Sequence, residues 1–471
     1  MKKTIRITLF TLALLSTLIL SSCYYVLSVV PTALLGDAII DSLTPPSSNS
    51  PIPSTPTDEH THTAGEWIVD IAPTSNAEGK KHQSCIFCEQ VMKVENIAPT
   101  GSLGLAYTVN EDGVSCTIIG IGECKDTHIY IPEKIDGYTV TAIGDSAFLL
   151  NYGIVEVVIP DSVLSIGELA FSDCISLTSV SLPKDLSAIL HATFSSCVKL
   201  KSIEIPEGVT EIGAFAFVSC SALESITLPE GVESIGYAAF SLCESLQNIS
   251  LPNSLRFIGM DAFRCCYDLE SITIPANVTY VGYGAFVYCI SLQEISVAKE
   301  NTHYKTIDGN LYTKDAKNLL CYLPSNEAEI FYVPNGVKVI GSYAFAHCNK
   351  LKSIILPNSV ETLQTHAFYY LAYLESITLS KNLYLIEYEA FVDCCRLTDV
   401  TLPSSLIILY EYAFSWCNAL DEIVFEGTMK QLYDTLNTNA DLGKVFPGMD
   451  TGTIHCADGD IVFERSDWHG K

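Results

Sequence analysis

Cys85 and Cys88, in "HQSCIFCEQ" with His82 just upstream, are the side chains whose type and spacing most suit chemistry. Two thiols two residues apart can share a metal ion, exchange with a disulfide or close into one. His82 would be a third metal ligand, and His60 and His62 precede the group. One Cys-x-x-Cys supplies two of the four ligands that structural zinc takes, so zinc, a disulfide and free thiols all stay open. A thioredoxin-like redox role is a further reading, although no βαβ pattern surrounds the motif. Elsewhere "GIGECK" offers Gly-x-Gly without the third glycine, in a strand-like stretch, and is not a dinucleotide loop. There is no G-x-S-x-G, H-E-x-x-H or P-loop motif, so the expectation is a protein that is not an enzyme and has no cofactor apart from zinc. His191, His347 and His366 are expected on the solvated surface.

Most other cysteines follow a rule. Cys174, Cys197, Cys220, Cys243, Cys266, Cys289, Cys348, Cys394 and Cys417 each lie three residues after a phenylalanine. Those phenylalanines recur every 23 residues from Phe148 to Phe286 and again from Phe345 to Phe414, across one gap of 59. Since 59 is 23 plus 36, one unit is lengthened. Within a unit such as "PDSVLSIGELAFSDCISLTSVSL" the close Leu177-x-x-Val180-x-Leu182 fits a strand with Val180 and Leu182 on one side. A unit this short cannot bury its own apolar face, so the units must stack into a solenoid with a parallel sheet along one side. At about 4.8 Å per coil, eleven units make a sheet about 50 Å long. Equivalent cysteines then face the same way, which is poor geometry for bridging, and they are expected as core filling. Cys265 and Cys395 are expected to be exposed. Glycines such as Gly167, Gly213 and Gly236 are expected to ease a bend, so units with Leu190, Gln364, Glu387 or Tyr410 instead should bend differently.

The chain has 471 residues and a formal charge of −28, with 26 basic residues against 54 acidic ones, which argues against nucleic-acid binding. Lys2, Lys3 and Arg6 precede an apolar run that ends at Leu20-Ser21-Ser22-Cys23, an export signal. "SLTPPSSNSPIPSTPTDEHTHT" is dense in Pro, Ser and Thr and suits an extended stalk.

The ten or more copies of "P-x-x-V-x-x-I-G-x-x-A-F-x-x-C-x-x-L-x-x-I-x-L" resemble the BspA-like leucine-rich repeat family of microbial surface proteins. Leu20–Cys23 is similar to a lipoprotein cleavage site, which implies lipid attachment at Cys23 and a location outside the cytoplasm, held to the membrane; an uncleaved signal anchor is the alternative. The organisation expected is a signal peptide at 1–22, the stalk at 23–63 and a small Cys-x-x-Cys module at 64–100. An N-terminal cap follows at 101–131, with Cys116 and Cys124 placed to pair. The array is expected at 132–425, with a hairpin in the lengthened unit at 298–333 around "IDGNLY", and a C-terminal cap at 426–471. The module resembles one in other secreted bacterial proteins that has a further cysteine where this chain has Thr74-Ser75.

The family implies adhesion or protein–protein interaction with host or microbial partners, host matrix protein among them; a scaffold for cell wall or glycan is the alternative. Outward strand positions such as Ser202/Glu204 and Ser225/Thr227 make a hydroxyl-rich face without anchors. Tyr237, Tyr283, Tyr343, Tyr369, Tyr388 and Tyr412 lie beside the Ala-Phe turn and would supply anchors along another edge. Replacement of Cys23 by alanine is expected to move the protein from the detergent phase to the aqueous phase in a phase-partition assay and to abolish labelling by a fatty-acid analogue.

Overall fold

A computed structural model describes residues 61–71, 79–97, 100–436, 442–447 and 451–464. Cys23, the signal segment and almost all of the stalk fall outside them, and no helix among the described residues is long and apolar enough to cross a membrane. The module forms an antiparallel sheet of β1 (Ala64–Ile71), β2 (Gly79–Cys85) and β3 (Val91–Ile97). Its order is β1-β2-β3. An antiparallel pair, β4 (Ala106–Val109) and β5 (Ser115–Gly120), then leads in, and β5 pairs in parallel with Tyr138–Ile143 to start the coils.

Each coil contributes two strands. The closing one, for example Ser202–Glu204, pairs in parallel with Ser225–Thr227 at an offset of one repeat, Ile203 inward and Ser202 and Glu204 outward. A second strand of two residues lies just before the position of the repeat glycine, as in Ala188–Ile189 (before Leu190), Glu211–Ile212 and Ser234–Ile235, and builds a second parallel sheet. Only the first sheet was expected, because two residues are too few to show a period.

The third side of the coil is made of turns. Two residues before and two after each repeat phenylalanine the backbone is left-handed, with φ between 50° and 68° at residues as unlike as Leu169, Asp173, Phe215 and Tyr343. Each such residue costs about 1–2 kcal/mol. The strain is offset by intercoil bonds: the N–H groups of Leu169, Phe171 and Asp173 donate to the carbonyls of His191, Thr193 and Ser195 at 2.8–2.9 Å. The turns are thus a third hydrogen-bonded ladder.

Inside it the phenylalanine rings stack. From Phe148 to Phe286 successive centroids are 5.2–5.9 Å apart, and from Phe345 to Phe414 they are 4.7–5.2 Å apart. Tyr322 supplies the ring of the lengthened unit, 5.2 Å from Phe345, and Phe446 closes the far end, 5.1 Å from Phe414. The cysteines have a specific task in this core. Cys197 Sγ donates to the Phe171 carbonyl at 3.3 Å, and that carbonyl also accepts the Cys174 N–H, so both its lone pairs are used. Eight of the nine repeat thiols make this bond at 3.1–3.3 Å, and Cys348 approaches the Tyr322 carbonyl at 3.9 Å. Every cysteine among the described residues is a free thiol, so Cys116 and Cys124 are not paired; Cys265 is buried and Cys395 half-buried, so neither is exposed as expected. Burial pushes the Cys174 and Cys220 thiols up to about 12, which makes them poor nucleophiles.

The repeat glycines are not left-handed. What favours glycine at Gly236 is closeness: a Cβ there would lie 2.5 Å from the Ala214 amide nitrogen in the preceding coil. Gln364, Glu387 and Tyr410 keep the same backbone bond, to Ile340, Leu363 and Ile386, so no other bend is needed there.

The lengthened unit forms the hairpin Tyr304–Ile307 with Asn310–Thr313, turning at Asp308 and Gly309, both with positive φ. Its second strand divides the interior, Leu311 packing in the N-terminal core and Tyr312 in the C-terminal one. At the C-terminus the helix Met429–Thr435, capped by Thr428 and Gln431, precedes the strands Thr451–Cys456 and Gly459–Glu464, which continue the closing-strand sheet. Gly236→Ala is expected to destabilise the array by about 1–3 kcal/mol, read from the urea midpoint, because the coils on either side cannot separate.

Candidate functional site

Along the outer side of the turn ladder aromatic and imidazole side chains gather. Phe215 meets His191 and Tyr237 edge-on, at 5.6 and 4.9 Å between centroids. Tyr388 and Tyr412 meet at 5.4 Å, and Tyr343 and Tyr369 at 5.9 Å. Tyr237, Tyr283 and Tyr388 are about two-fifths exposed, whereas Tyr343, Tyr369 and Tyr412 are half-buried.

The central bond of the ladder, from the repeat phenylalanine N–H, is missing once among the described residues. In the coil of Phe286, the N–H groups of Gly284 and Phe286 make no backbone bond to a following coil, because the lengthened unit takes a different path; the pattern resumes when the Tyr322 N–H donates to the Ala344 carbonyl. A cleft opens at the break, with Tyr283 and Tyr343 on its two sides and Cys321, Tyr322 and Pro324 among its lining residues. Beside it lies a cluster that the sequence did not single out. The buried Arg264 has its guanidinium carbon 5.4 Å from the Tyr288 ring centre and one nitrogen 3.6 Å from Asp261 Oδ1. Tyr288 lies against His347, which stacks on Tyr370 at 4.5 Å. Tyr343 stacks on His366 at 4.6 Å, and His366 Nε2 pairs with Glu389 at 2.5 Å. Burial raises the Tyr343 hydroxyl to about 12, so it remains a hydrogen-bond donor. Burial and then the Arg264 charge bring His347 down to about 3, which keeps its ring neutral. His347 and His366 are therefore packed members of this cluster and not freely solvated as expected; the 59-residue gap was the one sequence signal that pointed here.

In the module, the imidazole beside the two thiols is that of His62. Cys88 Sγ lies 3.4 Å from His62 Nδ1, and the candidate ligand atoms of His62, Cys85 and Cys88 are all within 4.8 Å of one another. His82 is not part of this group. It stands three positions before Cys85 on β2, which puts the two on opposite faces, and its Nδ1 pairs with Asp70 at 2.7 Å. Burial opposes ionisation of Cys85, but the Phe87 N–H, the His62 ring and the N–H groups of Cys88 and Thr63 outweigh it and lower the thiol to about 5. Cys88 is the one fully exposed thiol among the described residues.

Stacked coils of about 23 residues with parallel closing strands and a one-residue-wide aromatic column define a leucine-rich-repeat solenoid. Residues 141–243, 210–314 and 321–442 match the model of the BspA type leucine rich repeat region, and the chain belongs to that family. A leucine rich cell surface protein from Faecalibacterium prausnitzii is 32% identical over 73% of this chain and 99% of that one, with a TM-score of 0.62. The pneumococcal vaccine antigen PcpA is 20% identical over 75% of this chain and 91% of its own, with a TM-score of 0.53, a likeness of fold alone. A comparison with curated proteins gives no match.

His347 generates a testable pH dependence. Its ring takes a proton near the ordinary value of 6.5 in the unfolded chain but only near 3 in the fold. Below pH 6.5 the unfolded state therefore binds the extra proton, and stability falls as the pH drops from 6.5 towards 3. His347→Gln is expected to flatten that part of the stability curve measured by urea unfolding in buffers across the range.

Proposed function

We propose that this protein is a surface-held interaction protein that docks protein partners, on host or microbial surfaces, along the turn edge of its solenoid. The observation that carries this reading is the row of accessible aromatic side chains on that edge, including Phe215, Tyr237, Tyr283 and Tyr388. Tyrosine supplies large, rigid contact area with a polar tip, and aromatic anchors dominate protein interfaces. The closing-strand face carries mostly Ser, Thr and Asn outward, as at Ser225/Thr227 and Asn248/Ser250, and among the described residues its one exposed aromatic is Tyr332, which stands alone where the turn edge offers a row. The acidic charge gives no grip on phosphate and leaves nucleic acid aside. The F. prausnitzii relative, itself described as a cell surface protein, supports placing the array outside the cell, with Cys23 as the lipid attachment that holds it to the membrane.

The test is binding of the purified protein to immobilised host matrix proteins, mucin, epithelial cells and bacterial cell walls. Saturable binding to a protein or cell partner is expected. Tyr388→Ala with Tyr412→Ala should weaken it about thirtyfold, the loss of one strong aromatic anchor, whereas Ser225→Ala with Thr227→Ala should leave it unchanged. Equal loss in both variants would remove the turn edge as the docking surface. Binding confined to cell wall would favour the scaffold for the cell's own envelope instead.

A further inference from the structure

The module of β1–β3 lacks a core of its own. Among its described residues from Ala64 to Glu95 only Gly79 and Cys85 are buried, while Ile68, Val69, Phe87, Val91 and Val94 are more than half exposed. A sheet this small needs a cross-link or a metal to hold its shape. What it has instead of a core is a convergence of donors. His62 stands just before β1, Cys85 ends β2, and Cys88 lies in the turn to β3. That turn is closed by the Glu89 N–H on the Cys85 carbonyl at 2.9 Å, with Glu89 at φ 61°, and the start of β1 is tied to it by the Ile86 N–H on the Thr63 carbonyl at 3.1 Å.

We propose that His62, Cys85 and Cys88 bind one zinc ion, which joins the start of β1 to the β2–β3 turn and holds the module folded. Zinc bonds of about 2.3 Å to sulfur and 2.0–2.1 Å to nitrogen at tetrahedral angles put the two donor atoms about 3.5 Å apart. Cys88 Sγ and His62 Nδ1 are 3.4 Å apart. Backbone N–H groups of Phe87, Cys88 and Thr63 bond to the Cys85 sulfur, the arrangement that supports a metal-bound thiolate. The imidazole binds neutral through Nδ1, each thiol that is still protonated gives its proton to solvent, and no electron changes hands. Three protein ligands leave the fourth position to water. The nine repeat thiols of the array do not compete: they are buried, and their hydrogens point to carbonyls of the preceding coil.

The full chain, reduced and freed of metal with a chelator, is titrated with zinc against a chromogenic chelator. About one equivalent per chain is expected, despite the many cysteines. Cys85→Ser and Cys88→Ser should each abolish uptake, His62→Ala should weaken it about tenfold or more, and His82→Ala should leave it unchanged. As a readout that does not depend on the variants, zinc should slow amide exchange in 64–97 of the unaltered protein and leave exchange in the array as it was. No uptake, uptake that survives both serine variants, a loss with His82→Ala but not His62→Ala, or unaltered exchange in 64–97 would each overturn the proposal. So would a Cys85–Cys88 disulfide in the protein recovered from its cells. None of these results bears on the turn edge, which is tested separately.

Discussion

The distance between neighbouring backbones, about 4.8 Å in a hydrogen-bonded parallel ladder, is the constraint to which every repeated residue answers. Three ladders share it: two of strands and one of turns. A ring lying flat fits that rise, which is why phenylalanine recurs and why its centroids keep pace with the coils. At Gly236 the preceding backbone passes too close for a Cβ, and glycine stands there, while the units of Leu190, Gln364, Glu387 and Tyr410 accommodate a side chain at the same place. A thiol is small enough for the remaining space and still carries a hydrogen for the phenylalanine carbonyl, whose second lone pair would otherwise be buried without a partner. Cysteine is thus retained for size and one weak bond. Leu371 at the same place in its coil fills the volume and forgoes the bond.

The same constraint explains where the surface becomes distinctive. A coil that carries extra residues cannot keep all three ladders in register, and the lengthened unit keeps only part of them. Its excess chain leaves as the hairpin, its ring is Tyr322, and it does not accept the turn-side bonds of the coil of Phe286 before it. Arg264, Asp261, His347 and His366 gather where the turn edge no longer repeats, so the polar and aromatic cluster is a consequence of the broken repeat. Charged groups there are neutralised locally, Arg264 by Asp261 and by the face of Tyr288, which is what partial burial of a guanidinium requires.

Much of the array was legible because its signals are local and recur: the 23-residue spacing of Phe148 to Phe286, the inward Ile203 between outward Ser202 and Glu204, and the Asp308-Gly309 turn. What escaped depends on contact between coils. The second sheet has strands of two residues, too short for any alternation. Tyr322 sits in "LLCYLP", without the alanine before it or the cysteine after it, so the missing ring left no motif. Among the site residues, the six tyrosines could be placed beside the turn from their spacing, but their grouping into pairs and the cleft between Tyr283 and Tyr343 follow from the break. In the module the sequence favoured His82 for its nearness to Cys85; the two-residue period of a strand separates them, and the chain's return brings His62 instead.

The strand Asn310–Thr313 gives its Leu311 to one core and its Tyr312 to the other. Under tension applied at the two ends, the coil beside it is the one whose turn-side bonds are absent from Gly284 and Phe286. Extension would start at that joint, and each half could keep its own ring column while the hairpin straightened.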